Sequence, residues 1–393
     1  MHYRISLSLL VMSGVLLSAP AEAQRRAVTL NAPSTGDLHA TVLTDRASQP
    51  VINARRETVA LSWVARATSG QGTRGAHRAE SRHYTQRVRG DALAKGVELY
   101  TAAPGAVVRV SASKGRLDPL AFSVVSNGRR QTLAAVSDQL VDADNLRAAG
   151  LDSAATSVGA RLTGASGHIG LRYDGQLDAD AEVVVSVFDR QSNIVATAQS
   201  RADQFFDAAN ASVAVTWPGA TGPVRWRGAA VSPDGRRYTL SFDDSGNGRM
   251  TQRVAPASAP GLWEWRVTGT DANGVVRDVS TAFTLTTAVA KLGEQVRIIR
   301  TPGGIDITVP VDVGVEGRYE VRAALTDGGT GGASVIAARA EWLAPGRSEI
   351  TLRFAADHLK GAGLSSTMVL GDLTVTDQSR MSVQARRRHA LTL

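Results

Sequence analysis

The chain has 393 residues, with 44 basic and 36 acidic side chains, a net charge of +8, seven histidines and no cysteine. The missing thiols exclude disulfides, thiolate metal sites and lipid attachment at a lipobox cysteine. Forty of the 44 basic residues are arginine, a bias that a GC-rich genome explains, so the high isoelectric point alone does not identify a partner.

Residues 1–23 carry His2 and Arg4, an apolar run from Ile5 to Leu17, and then Ala21-Glu22-Ala23. This is the layout of a secretory signal with its cleavage site. The run is shorter than the roughly 20 residues a membrane-spanning helix needs, and no later segment is long and apolar enough. The sequence therefore predicts a protein exported to the periplasm or beyond, beginning at Gln24 after cleavage. The remaining length suits two or three domains. Charge is uneven along it: residues 24–150 carry net +8, residues 151–287 net −2 and residues 288–393 net +2.

The basic excess is densest in RGAHRAESRHYTQRVRG, where Arg74, Arg78, Arg82, Arg87 and Arg89 stand with His77 and His83 against Glu80 alone. Guanidinium groups pair well with carboxylates and phosphates, so these five arginines form a candidate anion-binding surface for an anionic envelope polymer such as lipopolysaccharide phosphate. The alternative is a solvated loop and strand edge, where charge discourages edge-to-edge aggregation. A single aromatic, Tyr84, argues against nucleic acid, which calls for stacking platforms. The i, i+6 spacing of His77 and His83 matches no metal motif.

Further along, short runs of alternating apolar and polar residues bounded by Gly, Asp, Asn and Pro predict strands throughout. WEWRV sets Trp263, Trp265 and Val267 against Glu264 and Arg266, and ITLRF sets Ile350, Leu352 and Phe354 against Thr351 and Arg353. An alternating strand ending in Asp, a turn, and a second strand recur around Asp189, Asp271 and Asp327, which reads as a repeated hairpin. Helix is predicted only at SDQLVDADNLRAAG, capped by Ser137 or Asp138 and ended by Gly150, and at ADHLKGAG, residues 356–363. GASG before HIGLRY reads as a turn. Boundaries fall near 160 and near 288, where TLTTAVAKLGEQ turns linker-like.

One loop stands out chemically. In SFDDSGNGRMTQRV, Asp243, Ser245, Asn247 and Gly248 occupy positions 1, 3, 5 and 6 of a calcium loop, but position 12, which wants a bidentate carboxylate, is Val254. Tyr238, Leu240 and Phe242 before it, and Met250, Gln252 and Val254 after it, alternate as strands. The loop reads as a hairpin corner, with calcium held by Asp243, Ser245 and Asn247 as the alternative; no other cofactor is expected.

DDSGNG with PGLWEWRVTGTDANGVVRDV resembles the Asp-rich corner and hairpin of secreted bacterial immunoglobulin-like domains. WLAPGRSEITLRFAADHL and LGDLTVTDQSRM, together with the signal peptide and three-part layout, resemble a secreted gammaproteobacterial family of unknown function, domain-of-unknown-function family 4785. That resemblance implies immunoglobulin-like modules in the second and third parts and supplies no activity.

Enzyme signatures are missing: neither a G-x-S-x-G elbow nor H-E-x-x-H occurs. The expected architecture is all-β, with a β-rich N-terminal domain at 24–160 and tandem immunoglobulin-like β-sandwiches at 161–287 and 288–393. The expected role is a non-catalytic binding or adhesion module at the envelope, with an anionic polymer or another envelope protein as partner. The alternative is a secreted hydrolase whose carboxylates come together only in three dimensions.

Overall fold

The computed structural model describes residues 24–34, 36–46, 51–52, 55–66, 77–148, 156–252, 260–328, 332–364 and 367–393. Its strands close over three hydrophobic cores. In the first unit, one sheet orders His83–Arg89, Glu182–Phe188, Ala106–Ala112, Ser157–Leu162 and Ser137–Val141, and the other orders Val97–Thr101, Gly167–Tyr173, Phe122–Ser126 and Arg129–Thr132. Period-two alternation drives the assembly: Ala106, Val108, Val110 and Ala112 are buried, while the residues between them are half-buried on the opposite face. Both sheets feed one core containing Tyr84, Val110, Phe122, Leu171 and Val185.

The middle unit is one nine-stranded sheet folded over itself, antiparallel except where Gln204–Phe205 runs parallel to Val276–Leu285. Ala198, Val213 and Val215 from one half meet Trp263, Trp265 and Phe283 from the other, and the Trp265 and Phe283 rings stack with centroids 4.3 Å apart. The third unit packs Gln295–Thr301, Gly304–Val313 and Gly346–Ala355 against Ser334–Leu343, Gly317–Thr326, Val369–Asp377 and Ser382–Thr392. Ile350, Leu352 and Phe354 enter that core on the face the alternation assigned them. Among the described residues no helix is long and apolar enough to cross a membrane.

The all-β sandwich architecture follows the sequence pattern, but the allocation of strands does not. Gln24–Thr29 pairs with Gln295–Thr301, and Val59–Ala65 pairs with Ser334–Leu343, so the N-terminal stretch completes both sheets of the third unit. Arg78–Ser81 joins the middle unit through Ala196–Ser200. The first core closes only with Glu182–Phe188, and the expected boundary at 160 falls inside the strand Ser157–Leu162. Alternation reports which face of a strand is wet and carries no label for the partner strand.

Three local readings also change. Ser137–Val141 is a strand on Ser157–Leu162, and helix is confined to Ala143–Ala148, where Asn145 N donates to Asp142 Oδ1. Gly150, the expected helix stop, lies outside the described residues. The segment around Asp189 is no hairpin, because Glu182–Phe188 pairs within the first unit while Ala196–Ser200 pairs in the middle one. The linker-like residues Thr286 to Ala290 are buried, and Gln384 Oε1 accepts from the backbone N–H groups of Val289 and Ala290. By contrast the hairpins at Asp271 and Asp327, the turn at Gly167 and a short helix at Ala356–Gly361 form where the sequence puts them.

Candidate functional site

An open cleft of about 960 Å³ lies between the first and middle units. Strand alternation builds its floor. Trp226, Tyr238, Leu240, Trp263, Trp265 and Val267 turn into or against the middle core, which leaves Arg227, Arg237, Thr239, Glu264, Arg266 and Thr268 on the outer face of the same strands. The edge strand His83–Arg89 of the first unit stands over this face as the facing wall.

Two sets of bonds hold that strand in place. Thr85 N donates to Asp278 Oδ2 at 2.7 Å, and Asp278 Oδ1 accepts from Thr268 Oγ1 at 2.6 Å. Beneath them Arg277, with no exposed surface, donates from Nη2 to Asp189 Oδ2 at 2.9 Å and to Ser192 Oγ at 3.0 Å, and from Nε to the Ile194 carbonyl at 3.1 Å. Asp189 Oδ2 also accepts from Ala102 N at 2.7 Å. The buried ion pair therefore joins the end of Glu182–Phe188 to Val276–Leu285, across the two units.

His83 stacks on Phe188 with ring centroids 4.5 Å apart, and its Nε2 lies 3.1 Å from Thr85 Oγ1. Burial holds the imidazole below its usual range; the nearby Arg277 charge pushes the same way, and Asp278 opposes. A hydroxyl beside a neutral imidazole is half of a nucleophile–base arrangement, which also needs a third group to orient the base. Here the carboxylate of Asp278 is engaged by Thr85 N and Thr268 Oγ1 instead. The contacts anchor a strand.

The five arginines singled out by the sequence do not form one surface. Arg74 lies outside the described residues. Arg78 is exposed on a strand of the middle unit, Arg82 Nε donates to the Ser192 carbonyl at 2.8 Å, Arg87 pairs with Glu182, and Arg89 lies 3.4 Å from Asp91. Of these only Arg87 lines the cleft. The cations that sequence reasoning missed are Arg227, Arg237 and Arg266. The one local signal was RWR at 225–227, where arginine alternates with a core tryptophan. Arg266 pairs with Glu264 on its own strand, whereas Arg227 and Arg237 have no carboxylate partner among the described residues.

The calcium-loop residues lie elsewhere, on the hairpin joining Arg237–Phe242 to Asn247–Met250. Asp243 Oδ1 accepts from Ser245 N at 3.0 Å and from Asn247 N at 2.9 Å, and Asn247 Nδ2 lies 3.1 Å from Oδ2. The Asn247 N–H bond chiefly holds this carboxyl below its usual range. Asn247 Oδ1 in turn accepts from Arg201 at 3.3 Å. Gly246 has φ +77°, and a Cβ there would lie 2.4 Å from the Val215 carbonyl oxygen, so the corner requires glycine. Among the described residues no three His, Asp or Glu side chains gather as a metal site.

Residues 50–189 match the N-terminal domain of DUF4785, a domain of unknown function, and residues 289–393 match its C-terminal domain. No curated protein matches the chain. Among solved structures, the crystal structure of a DUF4785 family protein from Legionella pneumophila subsp. pneumophila str. Philadelphia 1 superposes with a TM-score of 0.63 at 18% identity, over 90% of this chain and 98% of that one. It shows the same fold over nearly the whole length. A tetra-tandem repeat from the extending region of a large adhesion protein aligns at 12% identity over 79% of this chain and 74% of that one, with a TM-score of 0.20 that carries no argument. The matched ranges enclose the first core, Tyr84 to Val187, and the third, which begins at Val289. With both terminal domains matched over more than half of its length, the chain belongs to the DUF4785 family.

Proposed function

We propose that the protein is an exported, non-catalytic binding module at the cell envelope, and that its ligand lies in the cleft between the first and middle units. The observation that carries this reading is the division of labour among the cleft's polar groups. Asp278 is bonded to the wall strand, His83 lies on that strand beside Thr85, and Glu264 faces Arg266, while Arg227 and Arg237 stand exposed without a carboxylate partner among the described residues. Such a surface offers donors to an anionic partner, and the imidazole of His83 beside the Thr85 hydroxyl has no carboxylate orienting it, since Asp278 is bonded to Thr85 N and Thr268 Oγ1. Export rests on the pattern of residues 1–23; the first strand begins at Gln24, so cleavage after Ala23 would spare it.

Sedimentation with isolated cell envelopes tests the reading. Ser280 is an exposed residue of the cleft, and Ser280→Trp places an indole there. The wild-type chain should pellet with envelopes, and Ser280→Trp should stay in the supernatant with an unchanged melting temperature. Equal pelleting of the two would place binding elsewhere.

A further inference from the structure

The outer face of the middle sheet carries cations in a regular order. Following the strand Arg225–Val231, Arg225 and Arg227 lie two residues apart on that face. Ala229 is flanked by Arg266 on one neighbouring strand, and Val231 by Arg237 on the other. A guanidinium thus stands at or beside every second residue at four successive positions, three steps apart from end to end. Two residues of antiparallel strand advance about 6.8 Å, so the row is roughly 20 Å long. Arg225, Arg227 and Arg237 are exposed and make no ion pair among the described residues. Among the described residues Arg266 is held only by the exposed carboxylate of Glu264, a pairing of small net value that a ligand carboxylate can replace.

We infer that this row binds a linear polysaccharide bearing carboxylates along its length, of the polyuronate class; the inference rests on the cleft being the binding site. A compact anion would need its donors to converge, as in a bidentate or multidentate cradle. Here they are strung out, which matches a polymer with repeated charges. The lining contains no Phe, Tyr or Trp, and its one aromatic ring, His83, is already stacked on Phe188, so successive nucleobases would find no series of stacking platforms. It does contain hydroxyls of Thr85, Thr239, Thr268 and Ser280, with Glu80 and Glu264 between the cations. Those carboxylates accept hydrogen bonds from sugar hydroxyls, which a polyphosphate chain lacks. The ligand is therefore both acidic and rich in hydroxyl groups.

The test uses the full chain, with polygalacturonate as probe and neutral dextran, a thymidine oligonucleotide and inorganic polyphosphate beside it. Polygalacturonate should bind, more weakly as salt rises because exposed charges are screened, and dextran should not. Arg227→Ser with Arg237→Ser removes two charge-assisted contacts and should weaken binding about tenfold or more. Arg129→Ser with Arg300→Ser, exposed arginines of the first and third units, should leave it unchanged. Absence of polygalacturonate binding, equal weakening by both pairs, or tighter binding of the oligonucleotide or polyphosphate overturns the inference. Ser280→Trp separates the two readings: if it releases the protein from envelopes while polygalacturonate fails to bind, the cleft stands and the polyuronate falls.

Discussion

Asp189 and Asp271 look alike in sequence, each ending an alternating strand ahead of a polar, turn-forming run, and each is buried to within 2% of its surface. Asp271 serves its own hairpin. Its Oδ1 accepts from Asn273 N and Val275 N, both at 2.9 Å, and its Oδ2 from Thr221 N at 3.0 Å. Asp189 instead meets a guanidinium 88 residues away and fixes one sandwich to the next. A strand-ending aspartate thus solves two different problems: a local shortage of acceptors at a tight corner, or a distant buried cation. The consequences of removing each should differ in size and in kind.

The largest effect belongs to the ion pair. Asp189 Oδ1 has no hydrogen-bond partner among the described residues, so the Arg277 charge supplies much of what stabilises this carboxylate away from water. Arg277→Met should cost about 3–5 kcal/mol, because it strands an uncompensated buried charge. Adding Asp189→Leu should recover much of that loss, since an apolar pair of similar volume is often neutral. Urea unfolding of the single and double variants measures both. If the double variant is as unstable as the single one, the pair matters through shape and not through charge.

The Asp271 corner comes next. Asp271→Ala leaves three backbone N–H groups without their acceptor in a buried corner, at a cost of about 2–3 kcal/mol. Asp271→Asn keeps one acceptor oxygen and should lose less. Among the described residues the partners of the Asp271 carboxylate are backbone N–H groups, so no side-chain replacement should rescue Asp271→Ala, and this separates the two aspartates experimentally. A rescue comparable to that at Asp189 would show that the corner, too, depends on a distant charge.

These two sites also mark how much the sequence disclosed. The hairpin after Asp271 was legible because both of its strands are adjacent in sequence and its turn residues declare themselves. The corner at Asp243 was legible for the same reason. Asp189 was misread because a strand leaving one sandwich for the next has the same local pattern as the first arm of a hairpin. The strands of residues 24–81 alternate well enough to be recognised, but their partners in the third and middle units lie far away along the chain. The candidate site is the extreme case. Thr85 and Arg87 meet Arg227, Arg237 and Asp278 across more than 130 residues, and no local window spans that distance. Charge counting drew attention to residues 74–89 because cations are dense there. The structure shows most of those described already holding carboxylates or carbonyls, whereas the unpaired cations of the cleft sit in the middle third, whose net charge is negative.

The smallest effect is expected at the exposed corner, where the Asp271 arrangement recurs without burial. Asp243 also accepts from the backbone of its own loop, but the carboxylate is open to water, so water can replace lost partners. Asp243→Ala should lower the melting temperature by less than Asp271→Ala does. The pH dependence has a definite sign. The carboxyl is held below its ordinary value of 3.8, first by the bond from Asn247 N, so the folded chain binds fewer protons here than the unfolded chain. Its contribution is therefore present above the ordinary carboxylate range and is lost as pH falls through the depressed folded value. The gap in melting temperature between wild type and Asp243→Ala should narrow accordingly in acid. Millimolar calcium should leave the wild-type melting temperature unchanged, because a ligand stabilises only by occupying a site in the native state, and the Asp243 oxygens already accept from Ser245 and Asn247. A calcium-specific rise that Asp243→Ala abolishes would make Asp243, Ser245 and Asn247 metal ligands. The exposed corner would then differ from the Asp271 corner in function as well as in burial.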